Sequence, residues 1–341
     1  MRPRILIVIV NYKVAKLAID SLASLEGELS SLPGIRVVVV DNDSRDGSVE
    51  ALRMAIATRG WDDWVKLEPS SQNVGFAAGN NLGIRLGWRT LPQSPPDYVL
   101  LLNPDTVVCP GSIKVLLKFL ENRPEVGIAA GRSEDPDGTP QHCCFRFPNA
   151  WNEFASNARL GVIDRLLRKR ICRVPISDEA HPIDWASGAF LLIRREVIEQ
   201  IGLFDENYFL YYEETDLIRR ARQGGWTCWH VPQSRIVHLV GFSSGVTVRH
   251  RRPDRKPRYW FDSRRRYFLK HHGFFYTAWA DLLAILGVAL GRAREILLWR
   301  PKAYPPRFLW DFVRNSVFVK GNRLQREGRS TWNIVESATA A

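Results

Sequence analysis

The chain has 341 residues, of which 45% are hydrophobic and 25% are charged, a composition that excludes a disordered or fibrous protein and indicates a folded globular one. Its net charge of +12 favours partners that carry negative charge, such as nucleic acid, anionic lipid headgroups or phosphate-bearing substrates. Because single cores stop growing near this size, we expect one core of about 230–250 residues and an appendage.

The first hundred residues alternate between apolar, β-branched runs and segments with helical spacing. The apolar runs predict strands buried on both faces, at Ile5–Val10, Ile35–Val40, Val65–Leu67 (the weakest) and Tyr98–Leu102. The intervening helices are predicted over residues 14–25, from residue 46 onward and over Ala77–Leu86. This alternation with short connections predicts a Rossmann-like α/β fold, in which a mostly parallel sheet has helices on both faces.

Beyond Pro124 the pattern is looser. Residues 132–182 are rich in Pro, Asp and Arg, and we expect long loops there with one short helix around Trp151–Leu160. Further elements are predicted at Ile183–Ile193, from Arg195, over Thr215–Arg222, and as two short strands at Trp226–His230 and Arg235–His238. After Val248 basic and aromatic residues interleave, apolar helices are expected to about Lys320, and the tail 327–341 is expected to fray.

The cysteines and the apolar runs bear on the cellular compartment. There is no CxxC pair, and the adjacent Cys143 and Cys144 suit neither a disulfide framework nor a zinc site, so we expect reduced thiols in a cytoplasm. The apolar run near the N-terminus is too short for a signal peptide. Asp281 interrupts the stretch Phe274–Gly291, which predicts a buried or interfacial helix rather than a membrane span. The chain is therefore expected to be cytoplasmic, either free or peripheral on the inner face of the cell membrane.

Polar residues follow three of the predicted strands at their carboxyl ends. They are Asn11-Tyr12 after the first, Asp41-Asn42-Asp43 after the second and Asn103-Pro104-Asp105 after Tyr98–Leu102. Open α/β sheets bind ligands beyond the carboxyl ends of their strands. Three coincidences of this kind indicate a ligand site at that edge.

Asp41 and a later segment, from Asn73 to Asn81, suggest contacts to a nucleotide. A carboxylate at the position of Asp41 is able to accept a hydrogen bond from a pyrimidine imide or a ribose hydroxyl, although a turn-forming Asp that caps the next helix is equally common. The small-residue segment from Asn73 to Asn81 enters a helix, where glycines allow close approach and the helix N-terminus attracts phosphate. An ordinary helix entrance would explain the second segment equally well.

Asp105 is a stronger candidate for a metal ligand. A carboxylate on a polar turn directly after a buried strand is well placed to hold a divalent cation that bridges two phosphate oxygens. The alternative is a helix cap, and the strand context favours the metal.

Three acids, Glu213, Glu214 and Asp216, lie at a predicted helix entrance after an aromatic strand at 209–212. Acids in a first turn are stabilised by the helix dipole, so solvated capping accounts for Asp216. It accounts less well for the first two, because a carboxylate beside aromatic side chains is partly desolvated. Its pKa is then raised, which makes it a useful general base. His238 closes a short predicted strand, where a lone His is more often structural than a ligand, and the other histidines are given no role.

Taken together, the motifs resemble a known family. They occur in the order Asn11-Tyr12, Val40-Asp41-Asn42-Asp43-Ser44, Asn73-x-Gly75-Phe76-Ala77-x-Gly79-Asn80, Leu102-Asn103-Pro104-Asp105, Ser187-Gly188-Ala189 and Tyr212-Glu213-Glu214-Thr215-Asp216-Leu217. The ordered set is similar to the inverting family 2 glycosyltransferases of the GT-A fold, in the branch typified by bacterial rhamnosyltransferases. The resemblance covers about residues 4–272.

The resemblance implies a role for each matched position. Base and ribose would be held by Asp41 with Asn11, Tyr12, Asn42 and Ser44, and the sugar diphosphate by Asn73, Gly75, Asn80, Asn103 and Asp105. Asp105 and His238 would bind Mn²⁺ or Mg²⁺, although Asn103 replaces the first acid of the family's DxD motif. Trp185 and Gly188 would contact the acceptor. Glu214 would be the catalytic base, where the family usually has Asp after Glu, so Glu213 stays an alternative.

The resemblance also implies substrates and a domain division. Residues 1–248 would form the GT-A domain, with a donor half at about 1–131 and an acceptor half at about 132–248. The donor would be dTDP-L-rhamnose, or else a UDP-hexose or UDP-galactofuranose, and the acceptor a glycan or a polyprenyl-diphosphate-linked glycan. Residues 249–341 would form a basic helical extension, which either lies on an anionic membrane surface or packs on the core with its charges in solvent.

Two other classes of protein are weighed against this reading. A nucleotidyltransferase should have a Gly-rich loop with Arg after the first strand, where this chain has Asn11-Tyr12-Lys13. A nucleic-acid-binding protein would explain the charge and the basic, aromatic stretch 249–270. It would leave the ordered acidic sites unexplained, and we expect no nucleic acid partner.

Overall fold

A computed structural model of the chain describes residues 3–90, 95–239, 255–299 and 304–322. Its strands are β1 (Ile5–Asn11), β2 (Ile35–Asp41), β3 (Val65–Pro69), β4 (Tyr98–Leu102), β5 (Thr106–Val108), β6 (Val126–Glu134), β7 (Cys144–Phe145), β8 (His181–Ile183), β9 (Trp185–Ala186), β10 (Phe190–Arg194) and β11 (Thr227–His238). Its helices are α1 (Ala15–Leu29), α2 (Ser48–Arg59), α3 (Gly75–Thr90), α4 (Ser112–Glu121), α5 (Ala150–Ala158), α6 (Gly161–Leu166), α7 (Arg195–Ile201), α8 (Glu213–Gln223), α9 (Arg258–Leu297), α10 (Phe308–Asn315) and α11 (Val317–Lys320).

The described residues form a nine-stranded sheet in the order β3-β2-β1-β4-β10-β6-β11-β5, with β8 beside β11. Strands β3, β2, β1 and β4 are parallel neighbours, and β6 is parallel to β11. Strand β10 is antiparallel to both β4 and β6, so the two parallel groups run in the same direction. The predicted mostly parallel sheet is confirmed, and its carboxyl edge collects the ends of β1, β2 and β4.

Strand β1 contributes to two cores because successive side chains of a strand point to opposite faces. Ile5, Ile7 and Ile9 lie in the core that α1, α2 and α4 cover, while Leu6 and Val8 lie in the core on the other face. Both faces of the sheet are therefore covered, which explains the unbroken apolar run in the sequence.

Helix α3 lies unusually close to β1. Gly79, Gly83 and Gly87 recur every four residues and form one face of the helix, and a Cβ at Gly83 would come within 2.5 Å of a methyl carbon of Val8. Larger residues here would push α3 off the sheet. The close packing fixes the start of α3 beside the carboxyl end of β1.

Three predictions of local structure are wrong in part. The predicted short helix is confirmed as α5, which packs against α9, but β7 and α6 also lie within the predicted loops of 132–182, and β8 begins there. The two short strands are one strand, β11, with an irregular register between Val231 and Arg235. The aromatic strand at 209–212 is a turn, since Tyr211 and Tyr212 have positive φ angles of 71° and 68°, which no strand accommodates.

The basic stretch is also corrected. Arg264 is buried between Glu153 of α5 and Asp281, and its neighbours Arg265 and Arg266 form ion pairs with Asp262 and Asp205. These three arginines are therefore not a surface for headgroups. Arg249, Arg251, Arg252 and the tail 327–341 lie outside the described residues.

Helix α9 changes direction at Gly273, whose φ is 76°, so that segment 258–272 and segment 274–297 are separate helical pieces. Asp281, which interrupts the apolar run, is buried and accepts hydrogen bonds from Arg264 and from the backbone of Val317. By length and composition α9 passes the test for a membrane-crossing helix, as buried helices of soluble proteins also do. Its buried charges tie one face of the helix to the protein.

Candidate active site

A cavity of about 280 Å³ opens at the carboxyl edge of the sheet. Ten of the residues singled out from the sequence line it: Tyr12, Asn42, Asn73, Gly75, Asn103, Asp105, Gly188, Glu213, Glu214 and His238. They lie directly after β1, β2 and β4, between β9 and β10, at the end of β11, and at the starts of α3 and α8. The topology thus brings together segments that are more than 200 residues apart in the chain.

Asn11, Asp41 and Ser44 lie just behind the cavity wall, and each is almost completely buried. The Asp41 carboxylate accepts hydrogen bonds from Nδ2 of Asn11 (2.7 Å), from Oγ of Ser44 (2.7 Å) and from the Ser44 backbone N–H (3.0 Å). These bonds fix the turn after β2. They position the neighbouring Tyr12 and Asn42, which do reach the cavity.

An amide network holds the loop before α3. Nδ2 of Asn42 donates to Oδ1 of Asn73 at 3.0 Å and to the Gly75 carbonyl at 3.1 Å, and Oδ1 of Asn42 accepts from the Val74 N–H at 3.0 Å. Because the side chain of Asn42 bonds on both its donor and its acceptor side, the loop has one position relative to β2.

Besides Asn11, Asp41 and Ser44, two further predicted site residues lie outside the cavity lining. Asn80 is buried, and its amide donates to the Phe76 carbonyl within α3. Trp185 stacks on Phe145 with ring centroids 4.5 Å apart and donates its indole N–H to the Arg146 carbonyl. Both side chains therefore pack against other parts of the protein and do not line the cavity.

Gly75 joins the start of α3 to the turn that precedes α8. Its φ is +81°, and a Cβ there would lie 2.2 Å from the Phe209 carbonyl oxygen, which accepts a hydrogen bond from the Phe76 N–H at 2.7 Å. Only glycine fits both constraints. The contact places the left-handed Tyr211-Tyr212 pair, and thereby Glu213 and Glu214, against the donor side of the cavity.

Asp105 and His238 face each other across two paired strands. Strand β5 begins directly after Asp105 and pairs with the end of β11, so that Nε2 of His238 lies 3.4 Å from Oδ1 of Asp105. Asp105 is 1% exposed and lines the cavity. A carboxylate oxygen and an imidazole nitrogen so close together are donors that fit a divalent cation.

Glu213 and Glu214 are the first two residues of α8, and each has one carboxylate oxygen, Oε2, that is buried without a hydrogen-bond partner among the described residues. Burial, and then the charge of Glu214, raise the pKa of Glu213 well above its ordinary value. Burial also raises the pKa of Glu214, but hydrogen bonds to its backbone, from Glu213 and from the Gly188 backbone oppose that effect. Glu213 therefore retains its proton when Glu214 is ionised.

Asp216 is not a solvated cap, contrary to expectation. It is fully buried on the opposite side of α8 and pairs with Arg220 (2.8 Å), Lys270 (2.7 Å) and His271 (2.7 Å). Burial alone would raise its pKa, but the His271 hydrogen bond and the charges of Arg220 and Lys270 lower it. Asp216 joins α8 to α9, and His271, which was given no role, is one of its partners.

The sequence indicates aromatic side chains beside the two glutamates, at 209–212, but it does not place Tyr259 with them. Phe76, Phe209, Tyr211 and Tyr259 line the cavity, and Tyr259 of α9 lies 5.2 Å from Phe209 and 6.3 Å from Tyr211 between ring centroids. The sequence signal for Tyr259 is the interleaving of aromatic and basic residues after position 248, which was interpreted either as a membrane surface or as the solvated face of a helix packed on the core. Tyr259 shows that the start of α9 belongs to the site.

A second group of potential ligand atoms lies away from the cavity. Cys143, Cys144 and His230 are buried with their ligand atoms within 4.8 Å of one another. Spacing in the chain alone argues against a metal at the adjacent cysteines, and His230 reaches them from β11.

Comparison with known proteins agrees with this geometry. The sequence model of the family described as Glycosyltransferase like family 2 matches residues 3–267. The chain is 30% identical over 245 residues to the N-acetylglucosaminyl-diphospho-decaprenol L-rhamnosyltransferase of Mycobacterium tuberculosis, covering 66% of this chain and 72% of that protein. It is 25% identical over 167 residues to the rhamnosyltransferase WbbL of Escherichia coli, covering 49% and 61%.

Solved structures show the same fold at low sequence identity. GalNAc-T7 with UDP, GalNAc and Mn²⁺ superposes with a TM-score of 0.59 at 15% identity, over 86% of this chain and 54% of that one. The mannosyltransferase PcManGT from Pyrobaculum calidifontis, in complex with GDP-Man and Mn²⁺, gives a TM-score of 0.55 at 15% identity, over 95% and 88%. These neighbours confirm the predicted GT-A fold.

Proposed function

The chain belongs to glycosyltransferase-like family 2, and from that premise we propose that it transfers L-rhamnose from dTDP-L-rhamnose to a hydroxyl of a lipid-diphosphate-linked glycan, with inversion at the anomeric carbon. The names of two relatives support the sugar, and the decaprenol-linked substrate in one of those names supports the class of acceptor. The observation that carries the reaction is a single cavity that is lined both by Asp105 with His238 and by Glu213 with Glu214.

The donor side of the cavity supports binding of a nucleotide diphosphate. Tyr12 and Asn42 present a ring and an amide where the base and ribose would lie, and the segment Asn73–Gly75 lies next to them at the start of α3. Asp105 and His238 are the residues that would hold Mn²⁺ or Mg²⁺. When bound, the cation would neutralise charge on the departing diphosphate.

The acceptor side supports a single displacement. Glu214 takes the proton of the acceptor hydroxyl, the hydroxyl oxygen forms a bond to the anomeric carbon, and the bond from that carbon to the diphosphate oxygen breaks. The nucleoside diphosphate leaves with the bonding electron pair, and one displacement inverts the configuration. Glu213, which retains its proton, keeps a second negative charge away from the reacting oxygen.

We also propose that the enzyme works as a peripheral protein on an anionic membrane. In segment 274–297 the face opposite the buried one is apolar and exposed, with Phe275 89%, Trp279 44%, Leu286 48% and Leu290 42% exposed. A solvent-facing helix surface is normally polar, and large exposed apolar patches mark binding surfaces. The net charge of +12 and a lipid-linked acceptor favour an anionic bilayer as the occupant.

A panel of nucleotide sugars tests the transferase proposal. With Mn²⁺ and a lipid-diphosphate-linked GlcNAc acceptor, we expect transfer from dTDP-L-rhamnose, and Asp105→Ala should abolish it across a Mn²⁺ and Mg²⁺ titration. Asp43→Ala is the matched control, because Asp43 follows β2 at the same edge of the sheet but does not line the cavity. Transfer from a UDP-hexose instead would change the donor, and normal metal-free turnover of Asp105→Ala would remove the metal assignment.

Vesicle flotation tests the membrane proposal. Binding to vesicles that contain anionic lipid should weaken as salt rises and should fall in Phe275→Ser/Leu286→Ser, whose side chains are on the exposed face. If wild type and variant fail alike to bind at low salt, the membrane assignment is wrong while the transferase assignment stands.

A further inference from the structure

A second depression, of about 450 Å³, lies beside the cavity described above, where α9 begins and packs against α10 and α11. We call it the basic groove. Its charged lining residues are Arg255, Lys256, Arg258, Asp311, Arg314 and Lys320. The basic groove is thus lined by five cationic side chains and one carboxylate.

Only two of the five cationic side chains of the basic groove have a carboxylate partner among the described residues. Arg255 pairs with Asp311 at 2.6 Å, and Arg258 pairs with Asp262 at 3.2 Å. In the part of the chain that the structure describes, the other three, Lys256, Arg314 and Lys320, have no carboxylate partner. Burial lowers the pKa of Lys256, and no neighbouring carboxylate offsets it. A bound anion would remove this desolvation cost.

The helix that starts at the basic groove increases the positive potential. Helix α9 begins after Pro257 without a side-chain cap and without an acidic residue in its first turn, and it has Arg258 there instead. A cation at the positive end of a helix dipole is unfavourable unless an anion lies nearby. The sequence at this terminus is therefore suited to a ligand with negative charge.

The basic groove and the active-site cavity share one turn of α9. Arg258 lines the basic groove, and the next residue, Tyr259, lines the cavity that contains Glu214. Consecutive Cα atoms are only about 3.8 Å apart. The two depressions therefore adjoin at the first turn of α9.

We propose that the basic groove binds the diphosphate of the lipid-linked acceptor, so that the sugar attached to it reaches Glu214 past Tyr259. The inference rests on the proposed function and names the subsite that distinguishes its acceptor. Apolar side chains continue the path outward: Trp310 is 64% exposed on α10, and Phe318 and Val319 are 57% and 59% exposed on α11. They lie on the same short helices as Arg314 and Lys320, where the lipid chain would leave the diphosphate.

Binding measurements on two probes test the proposal without a donor. The probes are GlcNAc-diphosphate on a short isoprenoid chain and octyl GlcNAc, which has the same sugar but no phosphate. Lys256→Ala and Arg314→Ala should each weaken calorimetric binding of the diphosphate probe about ten-fold, as expected for the loss of one charge-assisted contact. Binding of octyl GlcNAc should not change. Lys256→Arg should restore most of the affinity, and the exposed Arg53→Ala on α2 is the matched control.

Kinetics and flotation show whether the basic groove binds the diphosphate of the acceptor or the phosphate of bulk phospholipid. In transfer assays we expect both alanine variants to raise KM for the diphosphate acceptor about ten-fold while kcat and the KM for the donor stay unchanged. Equal loss with both probes, or no loss with either, overturns the proposal. So does a loss of binding to anionic vesicles with unchanged binding of the probe, because the groove would then hold bulk phospholipid. If the wild type binds the diphosphate probe but transfers no sugar, the proposed function fails and the binding site remains.

Discussion

Helix α8 begins with two acidic sites that are equally buried but have different neighbours and opposite pKa shifts. Glu213 and Glu214 face the cavity, have no cation beside them in the described structure, and have raised pKa values. Asp216 is equally buried, but it pairs with Arg220, Lys270 and His271, and its pKa is lowered. The comparison teaches that burial of a carboxylate does not by itself identify a catalytic group. The supply of compensating cations decides whether the buried acid stabilises the fold or is available for proton transfer.

Helical geometry explains how two residues of separation produce this difference. At 3.6 residues per turn, side chains two positions apart point in directions about 200° apart. Glu214 therefore faces the cavity while Asp216 faces α9. One short segment therefore supplies both the proposed base and the ion pairs that fix the helix carrying it.

The largest expected effect concerns the site without cations. Glu214→Gln should lower kcat by about a hundred- to ten-thousand-fold, because it removes the group that accepts the acceptor proton. Binding of the nucleotide sugar, measured by calorimetry, should be retained. Glu213→Gln is the matched variant, since it changes the neighbouring carboxyl in the same way. Should Glu213→Gln prove inactive and Glu214→Gln active, the two roles are exchanged.

The next effect concerns the site with cations and should appear in stability rather than chemistry. Asp216→Ala leaves Arg220 and Lys270 without their buried partner, and breaking such pairs costs about 3–5 kcal/mol in free energy of unfolding. Denaturant unfolding measures the loss. Glu214→Gln should unfold within about 1 kcal/mol of the wild type or be more stable, because it replaces a buried acid whose ionised form is disfavoured. An equal loss of stability in both variants would contradict the distinction between the two sites.

The sequence predicts the cavity that contains Glu213 and Glu214 better than it predicts the ion pairs of Asp216. Continuous apolar runs fix the central strands, and the ends of those strands identify Asp105 and Asn42, because parallel strands end at one edge. The partners of Asp216, Lys270 and His271, come more than fifty residues later from a helix whose position no local pattern determines. Tyr259 and the buried Arg264 were missed for the same reason. A run of arginines has one appearance in the sequence whether it meets water or acids that distant segments of the chain supply.

The smallest effect is the pH dependence, in which the two sites should act in opposite directions. Asp216 and Asp205 have lowered pKa values, that of Asp205 at about 2, so the stability they contribute is present above the unfolded value of about 3.9 and is lost as pH falls toward about 2. Glu213 has a raised pKa, so its contribution is complete below about 4.3 and is lost as pH rises through its folded value. The free energy of unfolding should therefore have a maximum at mildly acidic pH.

One variant tests each limb of this dependence of unfolding free energy on pH. Asp216→Asn should flatten the acid limb, and Glu213→Gln should flatten the limb toward higher pH, as measured by denaturant unfolding at a series of pH values. Activity should follow a different course. Because Glu214 must be ionised to accept a proton and its pKa is raised, kcat/KM should rise with pH through an apparent pKa above about 4.3. Since the two glutamates are coupled, that value belongs to the pair, and Glu213→Gln should reduce the rise to a single ionisation. An activity limb that Glu213→Gln leaves unaltered would mean that the two carboxyls titrate independently.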